Sequence, residues 1–252
     1  MAAEGPACGR QAGRYGVGRV RVGRGNHRRP CRGPRRARVL ACAVRLLDLG
    51  LFRIGSEAYA RDNGSYGLTT VLRSHVTVGR GEVRFACPAK SGRHRVAAVT
   101  DPQTRTVLRA LPRSDDPGER LLVHHSGRVW QEVRSEDLNG YLREVNGTGL
   151  TTKDFRTWNA TVLAAVGPAV SQRTTSGPES GRRRAASRVV RAVADHLGNT
   201  PAVCRASYID PRLIELFDSG VTIAPALDDL GVGVEPVATH GAVEDAVRTL
   251  LS

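Results

Sequence analysis

Two features of the sequence could carry chemistry. Of the 38 basic side chains, 36 are Arg and only two are Lys, Lys90 and Lys153. Arg stays protonated at any accessible pH, whereas a perturbed ammonium can give up a proton. A Lys retained in an Arg-dominated chain is therefore a candidate acid. The competing reading is two leftover surface lysines in the product of a GC-rich genome, and composition leaves the two readings even. The second feature is Tyr208. Thr200-Pro201 and Asp210-Pro211 each read as an N-cap followed by Pro at the first helical position, so Tyr208 lies in a tight joint between two helix starts. Taken singly, a Tyr in such a place packs or caps more often than it reacts. Arg156 falls off the apolar stripe of Phe155, Trp158, Val162 and Val166, which leaves its head free to face a ligand. Familiar catalytic patterns are missing: no G-x-S-x-G, no H-E-x-x-H, no P-loop and no dinucleotide fingerprint. The His residues make no metal-ligand spacing with carboxylates, and His124-His125 read as a strand edge.

The elements that must position these residues follow from periodicity. Leu40, Val44, Leu47 and Leu51 recur at helical spacing from Val39, and Ile54 and Tyr59 extend the pattern until Asn63-Gly64. The period then changes to two. His75–Val78, Val83–Ala89 and Arg93–Val99 are predicted as three short antiparallel strands, turned at Gly79-Arg80-Gly81 and at Ser91-Gly92. Lys90 sits at the second turn. From Asp101-Pro102 onward the chain reads as mostly helical. Ser135 is a candidate N-cap for a helix with Leu138, Tyr141, Leu142 and Val145 that ends at Gly147. Thr151 and Asp154 form a capping box for the helix carrying Arg156. Residues 167–187 read as a surface connection. A further helix carries Val189, Val190, Val193 and Leu197, stops at Gly198, and a last one spans Glu244–Leu251. Tyr59, Tyr66 and Trp158 read mainly as core.

Composition bounds the class. The net charge of +14 is uneven: residues 1–38 hold eleven Arg, eight Gly and one acid, Glu4. That segment has no hydrophobic periodicity and cannot offset its ordering entropy, so disorder is expected there. It reads either as a nucleic-acid-binding tail or, by a small margin, as a misassigned or out-of-frame start. The longest uncharged run, Thr157–Gln172, is too short and too broken for a membrane span. No apolar region follows the start, and no Ser or Thr precedes Ser56, so neither a signal nor a transit peptide is expected. Five Cys without a C-x-x-C pair support neither a disulfide framework nor a zinc site. The expectation is a soluble, intracellular protein with a polyanionic partner.

Four segments in order carry a resemblance. LFRIGSEAYARDNGSYGLTTVLRSHV (51–76), PAKSGRHRV (88–96), TTKDFRTWNATVLAAV (151–166) and HLGNTPAVCRASYIDP (196–211) resemble type IB DNA topoisomerases, specifically the small poxvirus-like enzymes of bacteria. The resemblance covers roughly residues 39–252. It implies a mainly α catalytic domain with a small three-stranded antiparallel sheet, shared in outline with tyrosine recombinases. It implies Tyr208 as the nucleophile that becomes a 3′-phosphotyrosine, Arg53 and Arg156 as holders of the non-bridging oxygens, and Lys90 as the general acid for the 5′-oxygen. Asn199 falls where poxvirus and eukaryotic members have His and bacterial ones have Asn. Lys153 is implied beside the phosphate, and Tyr59 as a contact to DNA. Both lysines fall inside matched motifs, which decides the even reading for Lys90.

The chemistry implied is self-consistent. Charge builds on the phosphoryl oxygens during attack, and preorganised donors there supply much of the acceleration. Arg offers a planar fork for two oxygens, and Asn donates one neutral hydrogen bond. A phenol is a poor nucleophile at neutral pH unless positive charge favours its phenolate, and a Lys beside two Arg can protonate the leaving alkoxide. No ATP, metal or other cofactor is needed. The expected partner is double-stranded DNA, met by a monomer in the bacterial cytoplasm at the nucleoid. Family members also carry an N-terminal DNA-binding domain that closes over the duplex; the match begins near Val39, so that domain is expected to be largely missing. Two rivals remain. A tyrosine recombinase would show His-x-x-Arg ahead of the nucleophile, where this chain has Asn199 and, at another interval, Arg205. A truncated, non-catalytic basic DNA-binding protein would bind without cleaving.

Overall fold

The computed structural model describes residues 35–49, 52–88, 94–111, 119–126, 129–146, 149–172, 179–229 and 241–252. The expectation of disorder over residues 1–38 lies almost wholly outside them; the first helix already begins at Arg36. The described chain is mostly helical with a three-stranded antiparallel sheet, and it falls into two compact units, one ending at Lys153 and one running from Asp154 to Ser252. Among the described residues no helix is long and apolar enough to cross a membrane.

The first unit opens with α1 (Arg36–Asp48), where Val39, Leu40, Val44, Leu46 and Leu47 are all buried. The helical pattern read through to Asn63 is interrupted. After α1 the chain is non-helical over Phe52–Ser56 before α2 (Glu57–Asn63), which ends on Gly64 in the left-handed region. The break has a packing cause. Arg53 and Ile54 carbonyls accept from the Leu68 and Thr69 amides at 2.8 Å each, so this stretch pairs with residues 67–70 instead of with its own helix. Gly55, at φ +98°, and Gly67 touch backbone to backbone: a Cβ on Gly67 would lie 2.3 Å from Gly55 Cα. Gly67→Ala is expected to lower stability by about 1–3 kcal/mol, the scale of overpacking. An unchanged thermal midpoint would show that the two segments separate without cost.

The three strands of the alternation form one sheet, β1 (Val76–Val78), β2 (Val83–Pro88) and β3 (His94–Val99) in order β1-β2-β3; His75 instead ends a short 3-10 turn, and Ala89, Arg93 and the Ser91-Gly92 turn lie outside the described residues. Val83, Phe85 and Cys87 point into the core and Arg84 and Ala86 away from it. Then α3 (Pro102–Ala110) starts on Asp101, whose carboxylate accepts the Thr104 amide at 2.7 Å and an Arg45 guanidinium at 3.4 Å. Burial would raise this carboxyl, but the Thr104 amide and Arg45 hold it below the usual range. The stretch read as mostly helical contains a second sheet, the hairpin β4 (Val123–Ser126) and β5 (Val129–Glu132). His124 is buried and His125 packs edge-on to Trp130, in keeping with the strand-edge reading. In α4 (Ser135–Asn146), Ser135 is the first helical residue rather than the cap. The Arg134 carbonyl accepts from Leu138, and Asp137 reaches back to the Arg134 amide at 2.9 Å. Val145 faces solvent, and Gly147 lies outside the described residues.

The second unit contains most of α5 (Thr152–Gln172), followed by α6 (Glu179–Leu197), α7 (Pro201–Ser207), α8 (Pro211–Asp218), α9 (Ala224–Asp229) and α10 (Ala242–Leu250). The connection read over residues 167–187 is corrected: α5 runs through Gly167-Pro168 and α6 already begins at Glu179. Proline in a helix removes one hydrogen bond, yet Ala160, Ala164, Ala165 and Ala169 are all buried, and that burial carries the helix past it. Gly167 is required by contact, since a Cβ there would lie 2.7 Å from Val189 on α6. Ala185 and Ala186 of α6 close on Phe217 of α8.

Candidate active site

Tyr208 is held by both of its neighbouring helices. Thr200 caps α7 through the Val203 amide, and Pro201 takes its first position. Asp210 caps α8 through the Arg212 amide at 3.0 Å, followed by Pro211. Tyr208 is the residue between, at φ −130° and ψ −25°, its amide bonded to the Cys204 carbonyl at 3.0 Å. Both caps were legible in the sequence. The pin beneath the joint was not. The buried Thr161 hydroxyl on α5 donates to the Tyr208 carbonyl at 3.3 Å and accepts from the Asp210 amide at 3.1 Å. The sequence offered one signal for it, a hydroxyl in an otherwise apolar stretch of helix.

Arg156, read as lying off the apolar stripe of its helix with its head free to face a ligand, is buried. It is only 6% exposed, because residues 155 to 162 of α5 are buried all round. Its Nη2 donates to the Leu197 carbonyl at 3.0 Å, and its guanidinium carbon lies 5.3 Å from the centre of the Tyr208 ring. The partner carbonyl is a consequence of how α6 ends. Gly198, at φ +64°, donates to Asp195, and Asn199 donates to Ala194 at 2.8 Å. This left-handed stop satisfies two terminal carbonyls and leaves that of Leu197 for another donor. The negative end of the helix dipole favours a cation there. Arg156 thus binds the helix end two residues before Asn199 and lies over the ring of Tyr208. Burial pushes the neighbouring Cys204 thiol up, and the Arg156 charge pulls it the other way.

Arg53 belongs to the first unit. It is half-buried on the non-helical stretch that contains the Gly55–Gly67 contact. Phe52 beside it packs edge-on to Phe85 of β2, with ring centres 4.7 Å apart. Arg95 on β3 lies near Arg53 in the same unit. Its guanidinium lies 5.8 Å from the Phe52 ring centre and opposite Cys87 in the sheet. Burial pulls Arg95 down, Cys87 pulls it up, and the positive charge of Arg53 adds to the fall. Lys90 lies outside the described residues, between Pro88 and His94, which pair across β2 and β3. Lys153 is exposed on the first turn of α5, one turn before Arg156. Of the three aromatics read as core, Trp158 is buried, Tyr66 is half-buried against His75, and Tyr59 is 51% exposed on α2. The core reading of Tyr59 is therefore corrected: α2 turns its Ala60 inward and its Tyr59 to solvent.

Within the second unit the arrangement can do three things to an anionic ester. It can present a phenol beside a fixed cation, offer an amide at Asn199, and keep both in register through α5. Comparison with known proteins adds a family. Residues 24–216 match the family model described as the catalytic core of eukaryotic DNA topoisomerase I. A DNA topoisomerase 1B of Acanthamoeba polyphaga mimivirus is 26% identical over 189 residues, which is 72% of this chain and 55% of that protein. The chain spans about half the length of that relative. The family match ends within α8.

Proposed function

The chain belongs to the type IB DNA topoisomerase family, as a catalytic core, and from that premise we propose that it relaxes supercoiled double-stranded DNA by cutting and resealing one strand. Tyr208 Oη attacks the phosphorus, its proton passing to solvent. The bond to the 5′-oxygen breaks as the tyrosyl phosphate forms at the 3′ end, and Lys90 protonates the departing 5′-oxygen. The 5′-hydroxyl reverses the step after the free strand has swivelled. Arg53 and Arg156 hold the non-bridging oxygens, Asn199 donates one further hydrogen bond, and Lys153 and Tyr59 meet the DNA beside them. Bond energy is stored in the phosphotyrosine, so neither ATP nor a metal enters the cycle. The same reading takes the enzyme as a bacterial monomer acting at the nucleoid, with a catalytic domain over residues 39–252 whose outline is that of tyrosine recombinases, and residues 1–38 as a basic leader.

The observation that carries the reading is the Arg156 guanidinium fixed over the Tyr208 ring by the end of α6. A cation on a ring face stabilises negative charge growing on that ring, which is what a phenol acquires as it attacks. The decisive experiment incubates the chain with supercoiled plasmid in EDTA and without ATP. A ladder of relaxed topoisomers is expected. Gel retardation of the plasmid without relaxation would favour the non-catalytic DNA-binding protein instead.

A further inference from the structure

Helix α10 makes two contacts that the mechanism above does not use. Glu244, in its first turn, is 2% exposed and accepts the Trp158 Nε1–H at 3.0 Å. Arg248, one turn later, approaches the same carboxylate at 3.5 Å and lies 5.4 Å from the centre of the Trp158 ring. The indole is therefore gripped at its N–H by an anion and on its face by a cation, both from α10. At the other end, the Leu251 carbonyl accepts from Arg212 Nη1 at 2.7 Å. Arg212 in turn holds both oxygens of the Asp210 carboxylate, at 3.2 and 3.0 Å.

The residues gripped are not scattered. Trp158 stands two positions after Arg156 on α5, and Asp210 stands two positions after Tyr208. Thr161, on the next turn of α5, already joins the two sides through the Tyr208 carbonyl and the Asp210 amide. We propose that α10 is a positioning element of the active site, in which Glu244 sets the register of the Arg156 helix and the Leu251 carbonyl, through Arg212 and Asp210, sets that of the Tyr208 joint. The proposal rests on the topoisomerase reading of those two residues. The energetics favour register over bulk stability. A buried carboxylate and a buried indole N–H that lose each other each forfeit a hydrogen bond that water cannot replace. Sliding α10 by one turn would break that hydrogen bond, so a single alignment is favoured. Covalent attack needs the reacting atoms about 3–3.5 Å apart and aligned, and misplacement by about 1 Å from a distant change costs on the order of 10²-fold.

The test uses the full chain, with DNA carrying one cleavage site at saturating concentration, and reads the rate of covalent adduct formation alongside DNA affinity and the thermal midpoint. Glu244→Ala is expected to slow adduct formation by about 10- to 100-fold with affinity unchanged. Glu244→Gln, whose carbonyl still accepts the indole N–H, is expected to restore most of the rate. A folded Glu244→Ala chain that cleaves at the parent rate overturns the proposal. Should Glu244→Ala fail to fold, Arg212→Ala takes its place, since that side chain is partly exposed; slowed cleavage at unchanged affinity supports the proposal, and a parent rate overturns it. A parent chain that forms no adduct would sink the topoisomerase reading. The positioning claim is then decided by the ¹⁹F resonance of 3-fluorotyrosine at position 208. That resonance is expected to move in Glu244→Ala and return in Glu244→Gln, and a resonance unmoved in both overturns the claim.

Discussion

Tyr208→Phe is expected to abolish the covalent protein–DNA adduct and with it plasmid relaxation, while folding and DNA binding persist. The separation is clean because almost nothing that holds residue 208 uses its hydroxyl. Its amide bonds to the Cys204 carbonyl, its own carbonyl to the Thr161 hydroxyl, and its ring lies against Arg156. A Phe keeps all three. What disappears is the oxygen that forms the ester, and removing a covalent nucleophile costs about 10⁴-fold or more. The adduct is read as a band of retarded mobility on a denaturing gel after quenching in detergent, and binding as retention on a native gel. Persistence of the adduct in the Phe variant would place the nucleophile elsewhere. Loss of binding together with the adduct would mean that the hydroxyl serves recognition rather than chemistry.

The parts of this site legible in the sequence are those set by short-range rules. Thr200-Pro201 and Asp210-Pro211 are N-cap and N1 pairs whose meaning is local, and they place Tyr208 without any knowledge of the rest. The Gly198 stop is local too, and so is the alternation that gives β1, β2 and β3. The features missed are set by partners distant in sequence. Periodicity carried one helix from Val39 to Asn63, and the non-helical break at Phe52–Ser56 exists because residues 67–70 compete for its backbone. Gly167-Pro168 reads as a terminator until the burial of Ala164, Ala165 and Ala169 is known. The helical wheel sets Arg156 off the apolar stripe but gives no hint of its partner, a carbonyl 41 residues away. Glu244 and Trp158 are 86 residues apart, and no spacing rule connects them. Arg95 was passed over because one Arg among 36 carries no signal until a strand sets it opposite Cys87 and near Arg53.

The division of labour between Lys90 and Arg156 gives the second large effect. Lys90→Ala is expected to slow cleavage by about 10²–10⁴-fold, the range of general acid catalysis, because the 5′-oxygen would leave as an unprotonated alkoxide. Arg156→Ala is expected to slow it at least as much for another reason, the loss of charge stabilisation on the phosphoryl oxygens and over the Tyr208 ring. It also strands the Leu197 carbonyl, at a cost of about 1–3 kcal/mol, so rates for that variant are taken per folded molecule. Substituting sulfur for the bridging 5′-oxygen separates the two. A thiolate leaves readily without a proton, so the need for Lys90 vanishes while the need for a cation at the non-bridging oxygens remains. The sulfur substrate should therefore return Lys90→Ala close to the parent rate and leave Arg156→Ala slow. Equal rescue of both would mean that Arg156 acts on the leaving group as well. Rescue of neither would remove Lys90 from the role of acid, and the scarcity of Lys in this chain would then have no chemical meaning at that position.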